Sequence, residues 1–299
     1  MLDLHRLTLL REVKLRGSMT AAARELSYSH SAVSQQLALL EREAGVTLLE
    51  KVGRGVKLTP AGEELVRNTE AILAAVERAE SDLASANRRV EGTVNVAAFA
   101  TISRSVMPAA LAALAEQHPG LEVRLHLYDP DVAPVRLVSR DVDAVIADAY
   151  PGTEPVGGAG IHATVLGTEP MRAYLPAGFE GDARALARLP WIMEPRSSAA
   201  TQWAVRVCRE HGFEPDLAHL STDVLFHVRM VEHGLAAAFL SDMVIREAGS
   251  DLEPSPLLPL DQHRRIEFLV REGAQTRPAL AAIRDAVAAR LTPAAHTPG

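Results

Sequence analysis

The chain has 299 residues, of which 47% are hydrophobic and 23% are charged, and its formal net charge is −7. This acidic balance excludes a protein that binds DNA over its whole surface, and the lack of an apolar run of about 18 residues excludes a membrane-spanning helix. A single cysteine excludes a disulfide within the chain and, with no secretory signal sequence, predicts a cytoplasmic protein.

Residues 18–45 predict two helices joined by a tight turn. Ser18 is a favourable N-cap for an alanine-rich helix over residues 20–26, which the weaker helix formers at 27–29 interrupt. Ser29 can cap the second helix, and Gly45 is placed to end it. The second helix has one apolar stripe at helical spacing, which comprises Val33, Leu37, Leu40 and Ala44.

The opposite face of the second helix is small and polar. At 100° per residue it comprises Ser31, Ser34, Gln35, Ala38 and Arg42. Amide and hydroxyl groups on a helix of little bulk can read base edges in the major groove of DNA. The alternative is an ordinary pair of packed helices with a solvated outer face.

The next segment favours DNA binding over that alternative. Lys51, Arg54 and Lys57 are interleaved with Gly53 and Gly55. A basic, glycine-bearing hairpin directly after the second helix suits contact with DNA phosphates. The first 62 residues carry a net charge of +3 and the rest −10, an asymmetry typical of a chain in which one domain meets nucleic acid.

A long helix is predicted over residues 60–89, with Thr59 as N-cap and Pro60 as its first residue. It would be about 45 Å long. Its heptad seam comprises Leu65, Thr69, Ile72, Val76, Ala79, Leu83 and Ala86. The candidate dimerisation residues in this seam are Leu65, Ile72, Val76 and Leu83. A homodimer formed through the seam would present two recognition helices to a two-fold DNA site; the alternative is a solvated helix packed on its own domain.

Strands and helices alternate at short spacing from residue 93 to residue 291, which predicts a parallel α/β sheet. The predicted strands are 93–99, 121–128, 144–147, 164–175, 191–194, 235–240 and 265–271. The predicted helices are 106–118, 133–139, 183–189, 199–211, 221–232 and 278–291. About 200 residues is large for a single unit of this kind, so two subdomains are expected.

Residues 1–62 and the long helix resemble the winged helix-turn-helix of the LysR-type transcriptional regulators. The resemblance rests on residues 7–13, on SMTAAARELSYSHSAVSQQLALLE and on GVTLLEKVGRGVKLTPAGEEL, in this order and spacing. The chain departs from the family at His30, where Gln is usual, at Ser31, where Pro or Ser is common, and at the wing pair Glu50-Lys51. The resemblance implies a regulator that binds double-stranded DNA, with a dimerising linker helix and often a dimer of dimers. The candidate DNA-binding residues are Ser29, His30, Ser31, Ser34, Gln35, Arg42, Lys51, Arg54 and Lys57.

The resemblance also implies the fold class, which is α + α/β. The domains are a winged helix-turn-helix DNA-binding domain at 1–59, a linker helix at 60–89 and an effector-binding domain at 93–299. The effector-binding domain resembles the two-lobed type 2 periplasmic solute-binding proteins. Its first lobe takes about 93–163 and 266–291, and its second about 164–265. The small-molecule effector lies in the cleft between the lobes.

Three segments of this domain open helices directly after strands, where free N–H groups and hydroxyls suit a small acid or polar metabolite. The candidate effector-binding residues in and beside them are Thr101, Ile102, Ser103, Arg196, Ser197, Ser198, Thr201, Thr222 and Phe226. Arg104 and Arg196 can pair with the carboxylate of an organic acid or form structural salt bridges. For each segment the alternative is simple helix capping by Ser or Thr.

The sequence contains no G-x-S-x-G, H-E-x-x-H or P-loop motif, and its histidines and cysteine lack the spacing of zinc ligands. We therefore predict no catalytic residue, no metal and no cofactor. Cys208 is predicted to be a semi-buried, inert thiol rather than a peroxide sensor, and residues 292–299 a disordered tail. The alternative of a different class is a cleft-binding enzyme or solute-binding module with an accessory DNA-binding domain.

Overall fold

The computed structural model describes residues 1–291, except residues 27, 54, 87–88, 159, 177, 180 and 259–260 and the side chain of residue 183. Arg54, the predicted tail at 292–299 and the predicted helix positions 87–88 lie outside the described residues. The chain divides into two compact units, Met1–Leu83 with Arg271–Thr276, and Ala84–Val270 with the chain from Arg277 onward.

The first unit contains helices and one hairpin. In chain order they are α1 (Leu4–Arg16), α2 (Met19–Glu25), α3 (His30–Ala44), β1 (Leu49–Val52), β2 (Gly55–Leu58) and α4 (Pro60–Ala86). Ser18 caps α2 and Ser29 caps α3, each accepting a hydrogen bond from a backbone N–H three residues later. Gly45 ends α3 in the left-handed conformation, at a φ of 69°. The predicted helix-turn-helix with a wing is confirmed.

One face of α4 is buried within the first unit. The buried residues are Gly62, Val66, Thr69, Leu73, Glu77 and Ser81. Glu77 accepts a 2.6 Å hydrogen bond from Nε of Arg271, and the Ser81 hydroxyl donates to the Gly273 carbonyl at 3.0 Å. The predicted seam is therefore wrong at Thr69, whose hydroxyl bonds the Leu65 carbonyl of its own helix at 2.7 Å and which is 0% exposed.

The candidate dimerisation residues lie outside that buried stripe. Ile72 is 42% exposed and Leu83 is 70% exposed, whereas Leu65 and Val76 are half-buried. Leu65 packs at the edge of the helix-turn-helix core, beside the buried Val66. Thus α4 has a mixed stripe packed on its own unit and a second, apolar stripe that is largely in solvent.

The second unit alternates strands and helices. Its first half contains β3 (Gly92–Ala98), α5 (Ala100–Ser105), α6 (Met107–Gln117), β4 (Leu121–Leu127), α7 (Ala133–Val138), β5 (Ala144–Ala149) and β6 (Ile161–Tyr174). A 3₁₀ helix at Ala183–Arg188 then precedes β7 (Pro190–Met193), α8 (Ala199–Glu210), β8 (Asp216–Leu220), α9 (Val224–Glu232), β9 (Ala238–Ser241), α10 (Asp242–Ala248), β10 (Gln262–Arg271) and α11 (Pro278–Leu291).

The main sheet has six strands in the order β4-β3-β5-β10-β6-β9. Strand β3 pairs in parallel with β4 and β5, but β10 pairs antiparallel with β5, and β9 antiparallel with β6. The predicted wholly parallel sheet is therefore wrong, because the long strand β10 returns through the centre of the sheet in the opposite direction. A separate parallel pair joins β7 and β8.

Strand β5 positions the site described below. All six residues of its run AVIADA are buried, as expected of a strand enclosed on both faces. The run is apolar except at Asp148, whose side chain is charged although the residue is only 6% exposed. A buried carboxylate in a central strand needs a cation or hydrogen-bond donors, and the search for its partners leads to the candidate effector cavity.

Candidate DNA-binding surface and effector cavity

The outer face of α3 is open to solvent. His30, Ser31, Gln35 and Arg42 are exposed and Ser34 is half-buried. The Ser29 hydroxyl accepts the Ala32 N–H at 3.1 Å and lies 2.9 Å from the Ser31 hydroxyl. Ser29 is therefore engaged in capping, while the face that follows it presents hydroxyl, amide and guanidinium groups.

The hairpin of β1 and β2 is held next to the end of α3. One carboxylate oxygen of Glu41 on α3 accepts the N–H groups of Leu48 and Leu49, at 2.8 and 3.1 Å. The turn has Gly53 in the left-handed region at a φ of 59°, which favours glycine. Lys51 and Lys57 are exposed on this hairpin. Glu41 was not predicted to position the wing, since a Glu on a helix surface gives no such signal in sequence.

The cations of the first unit fall into two groups. Arg6 pairs with Glu43, and the other paired cations reach carboxylates on α1, α2 and α4. The second group comprises Arg24, Arg42, Lys51, Lys57 and Arg78, which form no ion pair with any described residue. Charges that neutralise one another inside the protein offer little to a polyanion. Four of the five unpaired cations lie on α2, α3 and the hairpin, and Arg78 lies on α4.

Two cavities that share wall residues lie in the second unit. A cavity of about 330 Å³ is lined by Phe99 after β3 and by residues of α5, the end of β4 with the loop after it, and α9. One of about 580 Å³ is lined by residues of β5, the loop after it and the start of α8. Pro130, Asp148 and Glu194 belong to the walls of both. A third cavity, of about 40 Å³, is also lined by Glu194.

The structure places five of the nine candidate effector residues at these cavities. Thr101 and Thr222 line the 330 Å³ cavity, Ser197 and Ser198 the 580 Å³ cavity, and Thr201 the 40 Å³ cavity. Ser198 and Thr201 also serve α8, because the Ser198 hydroxyl accepts the Thr201 N–H at 3.1 Å.

The other four candidates lie away from these walls. Ile102 is 0% exposed in the core, and the Ser103 hydroxyl donates to the Ala98 carbonyl at 3.3 Å. Arg196 is exposed in the loop before α8, and Phe226 is 46% exposed. Proximity to a helix start does not by itself aim a side chain at the cavity, because successive residues of a helix point 100° apart.

A buried ionic cluster contributes Asp148, Tyr150 and Arg264 to the cavity walls. Arg264 on β10 donates to Asp148 at 3.0 Å and to Glu169 at 2.6 Å. The Tyr150 hydroxyl donates to Asp148 at 3.0 Å, and Arg264 also reaches the Ser241 hydroxyl at 3.3 Å. One cation thus serves two carboxylates, each of which is 6% exposed.

Glu194 follows β7 and is partly buried. Burial, reinforced by the negative charge of Asp148, raises the pKa of Glu194 to about 7. The pKa of Asp131, across the larger cavity, is also raised, by burial and then by Asp129. Both shifts indicate a cavity in which negative charge is incompletely compensated.

Sequence reasoning missed Asp148, Glu194 and Arg264 as site residues. Asp148 and Glu194 gave a signal, since each stands at or just after the end of a buried strand, where ligands meet α/β sheets. Arg264 gave none, because a single Arg in a strand does not show which face of the sheet it occupies.

Cys208 lies in the core and is 0% exposed. Burial raises the pKa of its thiol to about 12, so it stays protonated and is a poor nucleophile. In the part of the chain that the structure describes, no group of three or more His, Cys, Asp or Glu side chains is arranged to hold a metal ion.

Two family models match the chain. Residues 4–63 match the model described as bacterial regulatory helix-turn-helix protein, lysR family, and residues 87–292 match the LysR substrate binding domain. The chain belongs to the LysR family. It is a DNA-binding transcriptional regulator with an effector-binding domain, as the resemblance implied. Among the described helices, none combines the length and apolar character needed to cross a bilayer.

Transcriptional regulators similar to this chain match most or nearly all of its length. The transcriptional dual regulator GltC of Bacillus subtilis is 26% identical over 254 residues, which cover 82% of this chain and 83% of that protein. The RuBisCO operon transcriptional regulator of Allochromatium vinosum is 29% identical over 95% of both chains. The crystal structure of full-length CbnR complexed with its target DNA has a TM-score of 0.52 at 22% identity, covering 97% of this chain and 100% of that chain.

Proposed function

We propose that this LysR-family regulator reads its operator with the exposed face of α3 and holds the adjoining phosphates with the hairpin. The observation that carries this assignment is the separation of the cations, since Arg42, Lys51 and Lys57 have no carboxylate partner among the described residues. Gln35 and Ser34 are the base-reading residues, because amide and hydroxyl groups supply the donors and acceptors of direct readout. Arg54, between the two lysines in sequence, belongs to the same assignment.

The proposed functional form is a homodimer joined through α4. Leu83 and Ile72 are large apolar side chains that remain exposed on a helix of 27 residues, and burying them against a second copy removes apolar surface from water. Two copies of α3 then meet a two-fold operator, and a dimer of dimers would extend the contact. Because its partner is chromosomal DNA, the regulator acts in the bacterial cytoplasm.

Effector control is assigned to the two large cavities, with Thr101, Thr222, Ser197 and Ser198 at their walls. No enzymatic activity is proposed, because the relatives are regulators and the cavity groups found here bind charge rather than form a nucleophile with its base. The expected organic-acid effector is not carried forward: Arg104 is paired with Glu247, and Arg196 does not line either cavity.

Salt dependence tests the DNA-binding assignment. Operator fragments are selected from genomic DNA by the full-length protein, and binding is measured by fluorescence anisotropy between 50 and 200 mM salt. We expect affinity to fall by at least about tenfold, because each neutralised phosphate releases counterions. An affinity that stays constant over this range would contradict the proposal.

Sedimentation tests the dimer. Leu83→Glu places a charge in the proposed seam and is expected to shift the protein toward monomer, whereas Glu80→Gln, at an exposed polar position on the same helix, leaves the distribution unchanged. Equal sedimentation of the wild-type protein and Leu83→Glu would exclude this face as the interface.

A further inference from the structure

The walls of the two large cavities carry a strong excess of negative charge. Their acidic residues are Asp129, Asp131, Asp148, Glu154, Glu194 and Asp223. The basic residues of the same walls are Arg104 and Arg264, and both already have carboxylate partners. Arg104 pairs with Glu247, and Arg264 with Asp148 and Glu169. No arginine or lysine of the described walls is therefore left to neutralise an incoming anion.

Glu194 is the carboxylate at the centre of this excess. It lines both large cavities and the small one, and no described cation lies within ion-pair distance of it. Arg264, the cation whose charge acts on Glu194, is shared between Asp148 and Glu169. A partly buried carboxylate without a counter-charge is unfavourable unless it takes up a proton or a cation. A ligand that brings the cation removes that cost.

A hydroxyl at the same walls has no hydrogen-bond partner among the described residues, whereas the Glu194 carboxylate has a hydrogen bond to the Ser198 side chain but no ion pair. Thr101 is 3% exposed and lines the 330 Å³ cavity, and its hydroxyl makes no hydrogen bond to a described residue. Thr101 and Glu194 thus present an unused hydroxyl and an uncompensated carboxylate to one space. That space also has an apolar wall, formed by Phe99, Leu127, Val224 and Leu225.

We propose that the effector is an organic cation with an apolar body, an amidinium, guanidinium or protonated amine whose charge pairs with Glu194. The Thr101 hydroxyl hydrogen-bonds the ligand, and the apolar wall holds its body. The cavity volumes of about 330 and 580 Å³ suit a small organic molecule better than a bare ion. This inference rests on the proposed function only in taking these cavities as the effector site.

Three ring-matched probes of different charge test the proposal on the full-length protein. They are benzamidine, benzamide and benzoate, which are cationic, neutral and anionic at pH 8. Binding is followed by isothermal titration calorimetry and by the shift of Tm. We expect benzamidine to bind at least about tenfold more tightly than benzamide, and benzoate to give no shift. The preference falls by at least about tenfold in Glu194→Gln and persists in Glu116→Gln, which removes the same charge at an exposed site outside the cavities.

Opposite results overturn the proposal. They are benzoate binding as tightly as benzamidine, no binding of benzamidine at about 10 mM, or a benzamidine affinity that Glu194→Gln leaves unchanged. A Tm increase with MgCl₂ or CaCl₂ that needs Glu194 would assign the site to a metal ion instead. DNA binding is measured in parallel on the same samples. Loss of salt-dependent DNA binding refutes the regulator assignment alone, and anion preference in a protein that binds DNA refutes the cationic effector alone.

Discussion

The candidate DNA-binding surface and the effector cavity of this chain leave charges of opposite sign without ion-pair partners. On α3 and the hairpin of the first unit the unpaired groups considered are the exposed cations Arg42, Lys51 and Lys57. At the cavity walls of the second unit the group without a counter-charge is the carboxylate of Glu194. Both indicate a partner of the opposite charge, a polyanion in the first case and a small cation in the second. The environments differ, however. Exposed charges are screened by salt and cost little when unpaired, while buried ones shift their pKa values and affect stability.

The largest effect on stability is expected at the buried ionic cluster, in which Arg264 pairs with both Asp148 and Glu169. Arg264→Met leaves Asp148 and Glu169 buried without their cation, so we expect the free energy of unfolding of the effector unit to fall by about 3–5 kcal/mol. Denaturant titration measures it. The matched control is Arg229→Met, because Arg229 is exposed and pairs with Glu232 at the surface, where an ion pair contributes about 0–1 kcal/mol. A loss below 1 kcal/mol at Arg264 would mean that the cluster is not a buried ionic centre.

The next effect is a pH dependence from Glu194, which is surrounded by Asp148, Asp131, Tyr150, His227 and Arg264. Its pKa is raised from 4.5 to about 7 on folding, so the folded state binds the proton more tightly than the unfolded state. Its contribution to stability is therefore present below about pH 4.5 and is lost as pH rises to about 7.

Glu194→Gln should accordingly stabilise the protein at pH 8, by about 1–3 kcal/mol. The difference from wild type should vanish below about pH 5. Thermal unfolding at both pH values measures this, with Glu116→Gln as the control that keeps the wild-type pH profile. A variant that is destabilised at pH 8 would show that the ionised carboxylate has a counter-charge after all.

The helix-turn-helix and the effector-binding domain could not be predicted equally well from the sequence. The helix-turn-helix could be predicted to within a residue or two, because capping residues, alanine content and the stripe of Val33, Leu37 and Leu40 are local signals. The mixed sheet could not, since the direction in which β10 crosses beside β5 is decided by packing far apart in the chain. Strand β8 and helix α10 were missed for a related reason, being short elements with weak periodicity.

The site residues show the same contrast between local sequence signals, which can be predicted, and contacts between distant residues, which cannot. Thr101 and Ser198 were found because hydroxyls at helix starts are a sequence signal. Ile102 and Phe226 were selected only because they lie in or beside the same helix starts, and they lie away from the cavity walls. The charge of the cavity could not be predicted from that signal. It depends on Arg264 approaching Asp148 and Glu169 across 95 or more residues of chain, and on Arg104 being taken up by Glu247.

In the helix-turn-helix, Gln35→Ala is expected to lower the discrimination between operator and random DNA by about 1–3 kcal/mol. The reason is that a side chain that reads a base edge adds binding free energy only on DNA that carries that base. Gln36→Ala is the matched control. Gln36 accepts a 3.0 Å hydrogen bond from Nε of Arg6 within the unit, so its loss should leave the specificity ratio intact. Competition binding gives both ratios, and equal effects of the two substitutions would mean that α3 is turned differently in the groove.

The smallest effect separates unpaired from paired cations directly. Lys57→Ala and Lys14→Ala each remove one positive charge from the same unit, but Lys57 is unpaired on the hairpin, whereas Lys14 pairs with Glu63 at 2.5 Å. We expect Lys57→Ala to weaken operator and random DNA alike and to reduce the slope of log affinity against log salt by about 1, since one phosphate contact is lost. Lys14→Ala should leave the slope unchanged. If both variants changed the slope equally, the net charge of the unit, and not the position of its unpaired cations, would determine DNA binding.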